Sequence, residues 1–114
     1  MRMQRPAARN ALSRALMREL ISVAHALGER TDVHVAILTG SDVCFSAGVD
    51  LKESNAWADD SLSTVERREV ASTGFKLCRA WEEMPQITIA AIEGYAAGGE
   101  IGRASCRERV YSSV

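Results

Sequence analysis

Two short segments carry residue types suited to chemistry done by the backbone: Phe45-Ser-Ala-Gly-Val-Asp-Leu-Lys52 and Gly94-Tyr-Ala-Ala-Gly-Gly99. Each contains glycine and follows an apolar, β-branched run. Glycine has no Cβ, so its neighbouring amides approach a ligand closely. Two such turns at one edge of a parallel sheet can each aim one N–H at the same oxygen. That pair of donors is an oxyanion hole, which stabilises negative charge as it develops during reaction. Other glycine chemistries fit less well. Gly-Lys-Ser/Thr is absent, and Gly94 to Gly102 reads G-x-x-x-G-G-x-x-G instead of G-x-G-x-x-G, which disfavours a nucleotide-binding α/β domain. Either turn alone reads as structural more often than functional; the two together are far more specific. His25 and His34 read as helix and strand residues, not as catalysts. Cys44, Cys78 and Cys106 have no metal-ligand spacing and form no disulfide framework, which suggests a reducing compartment.

The elements that must hold these turns follow from the apolar pattern. Leu12, Leu16, Leu20, Val23 and Leu27 recur at three and four residues. This predicts a helix from Asn10 or Ser13 to about Leu27, with either residue as N-cap and Gly28 as a left-handed C-terminal residue. Val33 to Gly40 predicts a strand buried on both faces. Residues 41–60 show no period and are expected to be a long loop, functional or mobile. A second helix places Leu62, Val65, Val70, Leu77, Trp81 and Met84 on one face, and Pro85 stops it. Ser63 and Glu66 match a capping box, with Ser61 as a rival cap. Trp81 reads as a core anchor. Gln86 to Gly94 predicts a second buried strand. This alternation argues an α/β layer fold.

The chain has 114 residues, 46% of them hydrophobic and 25% charged, with net charge −1. That composition fits one globular domain and excludes a disordered or collagen-like chain. It carries no electrostatic footprint for nucleic acid or an anionic membrane, and no apolar run long enough to span a bilayer.

The motifs Arg5-Pro-Ala-Ala-Arg-Asn-Ala-Leu12, Ile37-Leu-Thr-Gly40, Phe45-Ser-Ala-Gly-Val-Asp-Leu-Lys-Glu53 and Ile89-Ala-Ala-Ile-Glu-Gly-Tyr-Ala-Ala-Gly-Gly99 closely resemble the crotonase superfamily, the enoyl-coenzyme A hydratase/isomerase group. The resemblance covers about residues 4–99. It implies a partial, truncated spiral of β-β-α units. The implied ligand is an acyl-coenzyme A thioester, whose oxygen would sit between the backbone N–H groups of Ala47 and Gly99. Ala47, Gly48, Val49 and Asp50 would line the coenzyme site. No cofactor is implied beyond coenzyme A, which is part of the substrate, and no metal. Hydratases of this group use two glutamates as base and acid. The first lies three residues after the glycine matched by Gly99, and that position here is Gly102. The role is not carried onto Glu100, Glu93 or Asp50, and the second glutamate belongs to a later segment. The resemblance therefore implies a fragment of an enoyl-coenzyme A hydratase or isomerase, inactive by itself. The alternative is a non-catalytic coenzyme A-binding or assembly module of the same fold. The full-length parent would be a homotrimer or hexamer acting in the cytoplasm, with fatty-acid metabolism among its possible settings.

After Gly99 the resemblance breaks. Ile101 to Val110 resembles the translation of a short-read sequencing adapter. Residues 1–99 are thus expected to form a partial crotonase-like domain and residues 100–114 a non-native tail. Strands missing on either side would leave edges open to association.

Overall fold

The structure is a computed structural model and describes residues 1–54, 61–97 and 111–112. The first helix, α1, spans Arg14–Gly28. Ser13 is its N-cap: its extended backbone turns Oγ to accept from the Leu16 N–H at 3.2 Å. Asn10 is not the cap. Met17, Leu20 and Ala24 are buried along α1, flanked by the partly buried Leu16, Ile21 and Leu27. Gly28 stays helical, contrary to the expected left-handed ending. The C-cap is Glu29 in the right-handed region, with its N–H returned to the His25 carbonyl.

Strand β1 is Val35–Thr39, β2 is Cys44–Ser46, and a one-turn helix α2 is Leu51–Ser54. The expected unstructured loop at 41–60 therefore holds two elements; residues 55–60 lie outside the described residues. Helix α3 spans Thr64–Glu82 and opens with the full capping box of Ser63 and Glu66. Its buried residues are Thr73, Leu77 and Ala80. Val65, assigned to the apolar face from spacing, is exposed, because that face turns inward only along the second half of the helix. Among the described residues no helix is long and apolar enough to cross a membrane.

Strand β3, Ile87–Ile92, pairs parallel with β1 from Val35↔Ile87 to Thr39↔Ala91. Residues 1–3 lie along the other edge of β1, where Met3 N–H donates to the Thr39 carbonyl at 2.8 Å and Thr39 N–H to the Met1 carbonyl at 2.9 Å. Strand β4 is Tyr95–Ala96. Strand β5, Tyr111–Ser112, pairs parallel with β3. Helices α1 and α3 cover one face of this sheet. Leu20 and Leu77 pack with Leu38, Phe45 and Ile92, while Ala24, Ala80 and Met84 pack on Ala36. The Trp81 Nε1–H donates to the Leu20 carbonyl and ties the two helices together. Burial on both strand faces does not occur. Ala36 and Leu38 point inward, whereas Val35, Ile37 and Ile87 lie 43%, 48% and 63% exposed on the opposite face. The alternation is that of a sheet covered on one side.

Strands β2 and β4 form a second parallel pair, Cys44↔Tyr95 and Ser46↔Ala96, with an irregular register between them. Two glycines make the close approach possible. A Cβ at Gly40 would lie 2.5 Å from the Phe45 carbonyl oxygen, and one at Gly94 would lie 2.1 Å from that of Val43. Gly94 also has φ +69°, a conformation most side chains avoid. These glycines let backbone meet backbone, a structural use distinct from ligand approach.

Candidate functional site

The loop that follows β2 is built against residues 5–12. The short 3₁₀ turn Pro6–Ala8 ends in Arg9 and Asn10, both left-handed at φ 52° and 53°. This turn directs their carbonyls at β2 and its loop. Ser46 Oγ–H donates to the Asn10 carbonyl at 2.9 Å, and Cys44 Sγ–H to that of Arg9 at 3.3 Å. The Asn10 side chain accepts from Arg5 N–H at 2.8 Å and donates to the Cys44 carbonyl at 3.2 Å. Further on, Leu12 N–H donates to the Gly48 carbonyl at 2.7 Å and Asp50 N–H to the Leu12 carbonyl at 3.1 Å.

An ion pair closes the arrangement. Arg5 Nη1 lies 2.7 Å from Asp50 Oδ2 and also donates to the Ala11 carbonyl at 2.9 Å. Asp50 Oδ1 accepts from Lys52 N–H. The Arg5 hydrogen bond, helped by that amide, holds the Asp50 carboxyl below its ordinary value against the opposing cost of desolvation. The Asp50 side chain, which the resemblance places in the coenzyme-lining stretch, braces the loop. Glu93 is exposed at the end of β3.

The hydrogen bonds of the loop decide which amide it can offer. Ala47 N–H donates to the Arg9 carbonyl at 3.0 Å, and Gly48 N–H to Ser46 Oγ at 3.1 Å. Asp50 N–H is engaged by Leu12, as above. The expectation that Ala47 presents the oxyanion donor is corrected on this point: its N–H already has an acceptor inside the fold. Val49 follows Gly48, whose φ of +87° reverses the chain, and its residue is 49% exposed. Among the described residues its N–H has no acceptor. Val49 was assigned from the sequence only to the coenzyme-lining stretch. The signal that could have singled it out is its place after the one glycine of the loop, where a positive φ swings the next amide outward.

The second wall begins at β4. Ala97 N–H donates to the Ser46 carbonyl at 3.0 Å, so the two chains leave their strands side by side. Gly98 and Gly99, the latter expected to supply the second donor, lie outside the described residues, as do Glu100, Gly102 and Cys106.

Residues 1–111 match the sequence profile of the family described as Enoyl-CoA hydratase/isomerase. The chain is 36% identical over 103 residues to a crotonyl-CoA hydratase from Syntrophomonas wolfei, covering 90% of this chain and 38% of that protein. Among solved structures, an enoyl-CoA hydratase from Bacillus anthracis aligns at TM-score 0.76 and 34% identity, over 90% of this chain and 38% of that one. An enoyl-CoA hydratase from Bacillus halodurans aligns at TM-score 0.84 and 28% identity, over 97% of this chain and 44% of that one. The chain thus spans about a third of the length of the curated relatives it matches.

Proposed function

The chain belongs to the enoyl-CoA hydratase/isomerase family, and from that premise we propose that it is part of an enzyme acting on an acyl-coenzyme A thioester, most simply a hydratase or isomerase. The observation that carries this reading is the accounting of loop amides. Three of the four N–H groups from Ala47 to Asp50 are satisfied within the fold, and among the described residues the N–H of the half-exposed Val49 has no acceptor. Such a donor, paired with the Gly99 amide, would hold the thioester oxygen and stabilise the enolate that forms when an α-proton leaves or water adds. Backbone donors make no demand on side-chain protonation, so one arrangement suits several reactions on the same thioester.

Turnover needs an acid and a base in addition. Gly102 stands where the resemblance places the first glutamate. We therefore propose that these 114 residues hold a thioester without hydrating it.

Val49→Pro tests the donor, because proline removes an N–H that the described fold does not use. Butyryl-coenzyme A, which cannot be hydrated, is titrated calorimetrically against the chain and the variant, with free coenzyme A as reference. The thioester should bind the native chain more tightly than coenzyme A, and Val49→Pro should lose about 10-fold of that preference, the scale of one hydrogen bond to a polarised oxygen. Equal binding of the two ligands by the native chain would refute the thioester reading. Hydration of crotonyl-coenzyme A above background would refute the claim that the chain lacks turnover.

A further inference from the structure

Arg9 and Asn10 are the non-glycine residues with positive φ among those described. Asparagine tolerates this region better than most side chains, and arginine does not. Two such residues in succession persist only where the surroundings over-determine them. Here the surroundings are the site loop itself. Asn10 is 1% exposed, and its backbone and side chain are bonded throughout. Its N–H donates to the Arg5 carbonyl at 3.0 Å, Oδ1 accepts from Arg5 N–H, Nδ2 donates to the Cys44 carbonyl, and its own carbonyl accepts from Ser46 Oγ. Ser46 Oγ then takes the Gly48 N–H, and the adjoining Arg9 carbonyl takes the Ala47 N–H.

We propose that Asn10 is a positioning residue that selects which amide of the loop meets the acyl oxygen: by locking the Arg9-Asn10 turn against β2 it engages the Ala47 and Gly48 N–H groups and leaves Val49 to the ligand. Asn10 itself touches no reacting atom. Its partners on β2, Cys44 and Ser46, lie 34 and 36 residues away in sequence, so the selection is made by the N-terminal segment and not by the loop. The ligand named here rests on the thioester reading above; the selection among amides is a property of the chain alone and is tested separately.

Amide hydrogen exchange, read residue by residue by NMR, addresses the selection in the 114-residue chain and in two variants. Asn10→Gly keeps the left-handed turn and deletes both side-chain bonds. Asn10→Asp keeps the size and the acceptor for Arg5 but sets a carboxylate against the Cys44 carbonyl. In the native chain Ala47 and Gly48 should exchange about 10-fold or more slower than Val49. In both variants that contrast should collapse while the amides of α1 and α3 keep their protection. In parallel, affinity for butyryl-coenzyme A should fall about 10-fold with affinity for free coenzyme A unchanged. The proposal is overturned if Val49 is as protected as Ala47 in the native chain, or if Asn10→Asp preserves the native contrast. It is overturned too if thioester and coenzyme A lose affinity equally, since a merely structural residue would do that. Asn10→Asp decides the matter should Asn10→Gly unfold the helices. A native chain that binds no butyryl-coenzyme A would sink the thioester reading, and the exchange contrast would still judge the role of Asn10.

Discussion

The two parallel strand pairs of the molecule are held by opposite means. Pair β1–β3 runs through five register positions and rests under α1 and α3, on Leu20, Leu38, Leu77 and Ile92. Pair β2–β4 has two register positions with an irregularity between them. Phe45 alone of β2 enters the apolar core, while Cys44 and Ser46 turn to the Arg9-Asn10 carbonyls. Apolar burial is strong but non-directional, and it tolerates small shifts of a strand. Hydrogen bonds at fixed angles do not. The pair that carries the candidate site is thus the one whose geometry is set by directional contacts, and the pair that carries the stability is not.

Three measurements can break or sharpen this contrast. The largest effect belongs to Gly94→Ala. A methyl group 2.1 Å from the Val43 carbonyl oxygen cannot be accommodated without separating β4 from β2, and the positive φ adds strain. We expect a loss of about 3 kcal/mol or more in unfolding free energy by denaturant titration, with the Ala97–Ser46 hydrogen bond lost. A stability within 1 kcal/mol of native, as a rough bound, would show that the close approach is unnecessary. Leu77→Ala comes next. Leu77 is fully buried at the centre of the helix-covered core, and its truncation should cost about 2–5 kcal/mol. It should leave the exchange contrast among Ala47, Gly48 and Val49 intact below the midpoint. Loss of that contrast would mean the two pairs are not independently held.

The smallest effect is a pH dependence. Arg5 lowers the Asp50 pKa in the folded chain, so the folded state binds that proton less readily than the unfolded one. The stabilisation is fully present above the ordinary carboxylate range and is lost as pH falls through the depressed folded value. Asp50→Asn should flatten the acid limb of the stability curve below the ordinary carboxylate range and change little at pH 7 beyond the lost ion pair. An acid limb identical in the two proteins would place the titration elsewhere.

The apolar skeleton was legible because its signals are local. Leucine spacing marks α1, and the two N-caps, Ser13 and Ser63, each stand among two candidates that the sequence offers. Trp81 proved to bridge the two helices. Misreadings arose where a partner lies far along the chain. Val33 to Gly40 reads as doubly buried because apolar residues stand on both faces, yet only Ala36 and Leu38 meet helices. Asn10 offers the same local signal whether it caps a helix or braces a loop 34 residues later. Ala47 was named as donor because nothing in the loop reveals that the Arg9 carbonyl already claims its N–H. The motif marks the loop; which of its amides are engaged within the chain is visible only in the fold.

Cys44 gives this loop an intrinsic reporter. Its thiol is 2% exposed and hydrogen-bonded to the Arg9 carbonyl, whereas Cys78 is half-buried on α3. An alkylating reagent reaches so buried a thiol only when the structure around β2 opens, so the labelling rate at Cys44 reports those openings with no engineered probe and no ligand needed.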